Sequence, residues 1–136
     1  SKGGEKIVRP VPEAMRSFIE ILHDETKSSG YLLGVVKNSE AVSQWGRSVY
    51  KKLGHSEPWT LHDLRRTLAT HMNNMGIAPH VVEQLLGHSM PGVMAIYNRS
   101  LYLPEKLDAL NKWYERLELL AGNHQNVVLL PVANRD

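Results

Sequence analysis

The sequence predicts a mainly α-helical domain with the remnant of a small β-hairpin at its N-terminus. Three observations predict it. Apolar residues recur at helical spacing in successive segments between residues 12 and 122, and these segments are opened by capping residues or prolines and closed by glycines. The one clear hairpin signal stands at the very start, beside Gly3-Gly4. At 136 residues the chain suits one compact domain, with a core that buries about two-thirds of the surface its unfolded form exposes.

Each element follows in order. Ser1 to Val11 reads as the end of a hairpin, with Gly3-Gly4 turning into a second strand, KIVRPV. Its first strand is barely present, so the opening reads as cut from a longer polypeptide. From Pro12, which suits a first helical turn, Met15, Phe18, Ile19 and Leu22 define a helix packed on one face, ended by Lys27 to Gly30. YLLGVV (31–36) reads equally as a short buried strand or as loop. A further helix after Ser39, read as its N-cap, turns Val42, Trp45, Val49 and Leu53 toward a core and stops at Gly54.

Thr60 caps the next helix, and Asp63 three residues on makes a close relative of the capping box. Its apolar stripe is Leu61, Leu64, Leu68, Met72 and Met75. At ~100° per residue, Arg65 lies about 40° and His62 about 100° from Leu61, so both project from one flank of the buried face. Gly76 stops this helix; Pro79 starts another, in which Val82, Leu85 and Leu86 face inward until Gly87. After Pro104 comes a narrow heptad-like seam of Leu107, Leu110, Tyr114, Leu117 and Ala121, ended by Gly122. The expected division is a domain over 1–122 and a C-terminal tail over 123–136.

Composition excludes several classes. With 42% apolar and 22% charged residues the chain is neither disordered nor membrane-spanning, and no apolar run approaches the ~20 residues a bilayer crossing needs. It has no cysteine, hence neither disulfides nor a cysteine-based zinc site. A net charge of +2 is too mild to identify a nucleic-acid binder. Arg47, Lys51, Lys52, Arg65 and Arg66 nevertheless face only Glu57 and Asp63 between residues 47 and 66. A solvated helix face is the plain account of such a run.

The chemistry concentrates in His62, Arg65, His88 and Tyr97. Breaking a phosphodiester without a metal requires a nucleophile, charge stabilisation in the transition state, and a proton for the departing oxygen. A tyrosine hydroxyl, of pKa about 10, needs a base or a positive field to attack at neutral pH. Histidine serves as base or hydrogen-bond partner, and the guanidinium fork matches two phosphate oxygens. Taken singly, each residue has a duller role: a cap, a snorkelling surface arginine, a core tyrosine.

The combination resembles the catalytic domain of tyrosine recombinases, the phage-integrase family. His62 and Arg65 meet its H-x-x-R pattern, LGH ends at His88, and Tyr97 follows nine residues later. HDLRRTLATHMNNMGIAPHVVEQLLGHS resembles the family's helix-turn-helix block, and IYNRSLYLPEKLDALNKWYERLELLAG resembles the end of satellite-phage and genomic-island integrases. SKGGEKIVRPVP is similar to the hairpin that carries the family's catalytic lysine, which gives that role to Lys2. The resemblance implies cleavage through a 3′-phosphotyrosyl link without metal or nucleotide cofactor. Arg65 would clamp the phosphate, His62 and His88 would assist proton movement, and Lys2 would protonate the 5′ oxygen. It also implies double-stranded DNA as partner, a tetramer on that DNA, accessory DNA-bending or excision factors, and action on a chromosome in the cytoplasm rather than at a membrane. The family's other essential arginine lies upstream of the hairpin, so this chain alone is expected to cleave feebly.

Rival readings remain at this stage. Gly76 to Tyr97 also reads as a helix-turn-helix DNA-binding module, which leaves the position of Tyr97 unexplained. A histidine metal site fits poorly, since His62 and His71 lie about 180° apart on a helix. Tyr102 competes as nucleophile, whereas Tyr114 belongs to the seam. The seam and tail pack either in cis or on a neighbouring protomer.

Overall fold

A computed structural model describes residues 7–35, 37–88 and 100–122. Among these a 3-10 turn, Glu13–Met15, leads directly into α1 (Arg16–Thr26), followed by α2 (Ser39–Leu53), α3 (Leu61–Asn74), α4 (Pro79–Leu86) and α5 (Leu103–Leu120). The expected mainly helical architecture is therefore observed. The described part of the expected second strand, Ile7 to Val11, forms no strand, and the rest of the hairpin, residues 1–6, lies outside the described residues. Instead of ladder bonds, this segment takes side-chain partners: Arg9 Nε donates to the Leu85 carbonyl at 2.7 Å, and the Val8 carbonyl accepts from Lys106 Nζ at 3.1 Å.

Local chemistry explains most boundaries. The N-cap of α2 is Asn38 rather than Ser39, its Oδ1 accepting from Ala41 N at 2.8 Å. At the start of α3, Asp63 Oδ2 accepts from both Thr60 N (2.9 Å) and Thr60 Oγ1 (2.8 Å). These bonds hold the Asp63 carboxyl below the usual aspartate range. Residues 31–35 are turn and bend rather than strand, and Thr26 Oγ1 donates to the Leu32 carbonyl at 3.2 Å.

The core sits between α3, α4 and α5. Met72, Ile77, Val81, Val82, Leu85 and Ala109 are buried, with Leu68, Ala69, Met75, Leu86, Leu110 and Trp113 packed against them. On α5 the buried stripe runs through 106, 109, 110 and 113, one flank away from the expected seam; Leu110 alone belongs to both, and Leu117 is exposed. Small Ala109, wholly buried, is what lets α5 approach the other two helices. Outside this core several expectations fail: Phe18 of α1, Trp45 and Leu53 of α2, and Leu64 of α3 are all more than half exposed, whereas Met15, Ile19, Leu22 and Val49 are partly buried. The helix α2 touches α3 closely at Gly46, where a Cβ would stand 2.8 Å from Leu61 Cγ.

Candidate active site

The C-terminal end of α4 organises the site. Gly87 takes φ 74°, a left-handed conformation that reverses the chain, so that Gly87 N donates to Gln84 O (3.2 Å) and His88 N donates to Glu83 O (3.0 Å). This pair of bonds is the Schellman arrangement, which satisfies helix-end carbonyls and folds the next residue back by a turn. His88 is thereby returned to Glu83 by its side chain as well: Nδ1 pairs with Glu83 Oε2. A carboxylate on Nδ1 fixes the ring and leaves Nε2 to face a ligand.

Arg65 reaches the same helix end from α3. Its Nη2 donates to the Leu86 carbonyl at 2.6 Å, which anchors the half-buried guanidinium while leaving it further N–H donors. Arg9 takes the neighbouring carbonyl, that of Leu85. Two cations at the negative end of a helix are electrostatically favoured. His62 lies three positions before Arg65 on α3, hence on the adjacent turn, and is exposed. The structure thus gathers Arg65 and His88 at one helix terminus, with His62 beside Arg65. Lys2 and Tyr97 lie outside the described residues.

The surrounding charges are solvated. Arg66 Nη1 reaches Asp63 Oδ1 at 3.4 Å, with 73% of its side chain exposed, and Arg47, Lys51 and Lys52 are exposed on α2. Tyr102, the competing nucleophile, forms the N-cap of α5 at φ 47°, its ring 4.9 Å from that of His80. Among the described residues no group of histidine and carboxylate side chains could hold a metal ion. No helix among them is long and apolar enough to cross a membrane.

Glu83, Arg9 and Lys106 are the residues that sequence reasoning missed. For Glu83 the signal was available: a glycine C-cap of this type brings the residue after it back onto the position five earlier. For Lys106 it lay in the alternative stripe through Ala109 and Trp113.

Known proteins bear on this arrangement. The model of the phage integrase family matches residues 1–103, and the chain belongs to that family. It is similar to the tyrosine recombinase XerA of Pyrococcus furiosus, with 31% identity over 124 residues that cover 81% of this chain and 41% of that protein. The chain therefore spans about two-fifths of the length of that relative. No solved structure gives a significant match.

Proposed function

We propose that this chain carries the nucleophile and part of the phosphate clamp of a site-specific DNA recombinase that integrates or excises a mobile element or prophage. The observation that carries the reading is the convergence of Arg65 and His88 on the end of α4, with His62 one turn from Arg65, in a chain that places a tyrosine nine residues after His88. The Tyr97 oxygen attacks the scissile phosphorus, passing its proton to His62, and the bond from phosphorus to the 5′ oxygen breaks. Lys2 gives that oxygen its proton, leaving a 3′-phosphotyrosyl link and a free 5′ hydroxyl. The link conserves the bond energy for rejoining to another strand. Arg65 N–H groups not used on Leu86 and Nε2 of His88 face the non-bridging oxygens, where charge grows in the transition state.

The partner in this reading is double-stranded DNA, with Arg47, Lys51, Lys52 and Arg66 contacting phosphates, which positions the protein without reading sequence. Protomers assemble as a tetramer on DNA, and exposed Leu117 beside half-buried Tyr114 and Leu107 favours α5 as a contact between them. The isolated chain is expected to cleave slowly; the uncovered apolar surface of α1 and α2 supports a requirement for further polypeptide against it. Replacement Tyr97→Phe tests the reading in the full polypeptide. Strand cleavage should vanish while DNA affinity stays within about twofold; a pure binding module would show no cleavage in parent or variant, and cleavage retained by the variant would refute the assignment.

A further inference from the structure

Arg9, Arg65 and Lys106 gather around the end of α4, and each takes a backbone carbonyl as its partner. Arg9 Nε donates to the Leu85 carbonyl at 2.7 Å, Arg65 Nη2 to the Leu86 carbonyl at 2.6 Å, and Lys106 Nζ to the carbonyl of Val8, the residue before Arg9, at 3.1 Å. Lys106 is only 3% exposed. Among the described residues no carboxylate pairs with any of these cations, and the charged group that acts on Lys106 is the Arg9 guanidinium. A neutral carbonyl takes a hydrogen bond and leaves the charge of its donor in place. The negative end of a helix explains one cation there, but not Arg9 set between a second guanidinium on the adjoining carbonyl and a buried ammonium. An anion brought among them relieves that repulsion.

The geometry also says where that anion lies. Leu85 and Leu86 are consecutive residues at the end of α4, so their carbonyl oxygens stand roughly 3–4 Å apart and the two bonded arginine nitrogens at most about 9 Å apart. A phosphate that accepts a charge-assisted bond of about 2.8 Å from each side bridges a gap of that order. Arg9 keeps both Nη groups for such a ligand: among the described residues only its Nε is bonded, and Nη2 lies 3.8 Å from a Cβ built on Gly87, the residue before His88. We propose that Arg9 is a phosphate-binding residue that shares with Arg65 the DNA phosphodiester held at the end of α4, giving the clamp a second guanidinium from outside the H-x-x-R pattern. The proposal rests on the role given above to Arg65 and needs neither Lys2 nor Tyr97.

The test is equilibrium binding of the full polypeptide, carrying Tyr97→Phe so that no strand is cut, to a duplex with its cleavage site, read by fluorescence anisotropy over a range of salt. Loss of one phosphate contact lowers the slope of log affinity against log salt by about 0.9. Arg9→Gln, which keeps a donor for the Leu85 carbonyl without the charge, should lower the slope by that amount and weaken binding roughly tenfold or more. Arg16→Gln, which removes an exposed cation paired with Glu13, should leave the slope unchanged. A second duplex carries a neutral methylphosphonate in place of the scissile phosphate; on it Arg9→Gln and Arg65→Gln should each bind within about twofold of the parent, because the partner charge is already gone. If Arg9→Gln does not fold, Arg9→Lys decides: it must keep the slope, yet bind the phosphate duplex, and not the methylphosphonate duplex, more weakly than the parent. An unchanged slope for Arg9→Gln, or an equal loss on both duplexes, overturns the proposal when Arg65→Gln discriminates between them. If Arg65→Gln loses equally on both, the reading of Arg65 as the clamp falls, and this proposal with it.

Discussion

Gly87→Ala should be among the most damaging single-methyl additions in the chain. Two costs add there. The residue sits at φ 74°, where a side chain costs roughly 1–2 kcal/mol relative to glycine. A new Cβ would also collide with Ile7 Cδ1 and stand 3.1 Å from Ile7 Cγ1, inside the ~3.5–4.0 Å optimum for two carbons. Ile7 is 38% exposed and can swing partly aside, so the overpacking term belongs at the low end, about 1 kcal/mol. The expected total is about 2–3 kcal/mol. Gly76→Ala is the matched control, because Gly76 has φ 80° but nothing within 4 Å of a built Cβ, and should cost only the backbone part. Urea unfolding of both variants, and of Gly87→Ala combined with Ile7→Ala, separates the terms. The double variant should recover about 1 kcal/mol relative to additivity. Equal losses in Gly87→Ala and Gly76→Ala, with no recovery, would refute the reasoning that Ile7 and Gly87 are fitted to one another.

Other predictions follow from the same geometry. Glu83→Gln removes the charge on His88 Nδ1 and should slow single-turnover cleavage by roughly three- to tenfold, a fraction of the ~10²–10⁴-fold that acid–base groups supply; an unchanged rate would show that the pair does not orient His88. Asp63 is held below its ordinary pKa by the Thr60 bonds, so its stabilising contribution is present above the unfolded value of about 3.9 and is lost as pH falls through the depressed folded value. Urea midpoints of the parent and Asp63→Asn should accordingly differ at pH 7 and converge near pH 2, and a constant gap would contradict the linkage. Deleting residues 123–136 should weaken assembly on DNA, read by gel mobility; unchanged assembly would leave contacts between protomers to α5 or other surfaces.

Legibility in the sequence followed the reach of the interaction. The turn-forming Gly54, Gly76 and Gly87, the cap at Thr60, the helix-starting Pro79, and the core residues Met72, Val82 and Leu85 were all readable, because capping and helical periodicity act within a few residues. The α5 seam was misread by one flank because four large apolar residues outweighed Ala109, although close packing favours the small residue. Phe18, Trp45 and Leu53 carry the pattern of a buried face, yet each is more than half exposed among the described residues. Among the candidate site residues, the placement of His62 and Arg65 on one helix and of His88 just past the Gly87 stop was legible from spacing. Their anchors were not: the Leu86 carbonyl, Glu83 and Lys106 become partners only through tertiary contacts or a specific helix-end geometry.

The central claim is that Tyr97 becomes covalently joined to DNA. A nicked suicide substrate that loses its 5′ product after cleavage traps that species in the full polypeptide, and mass spectrometry of the digested adduct locates the modified residue. The account predicts a 3′-phosphate linked to the tryptic peptide containing Tyr97. Linkage to Tyr102, or strand cleavage with no protein–DNA adduct, would contradict it.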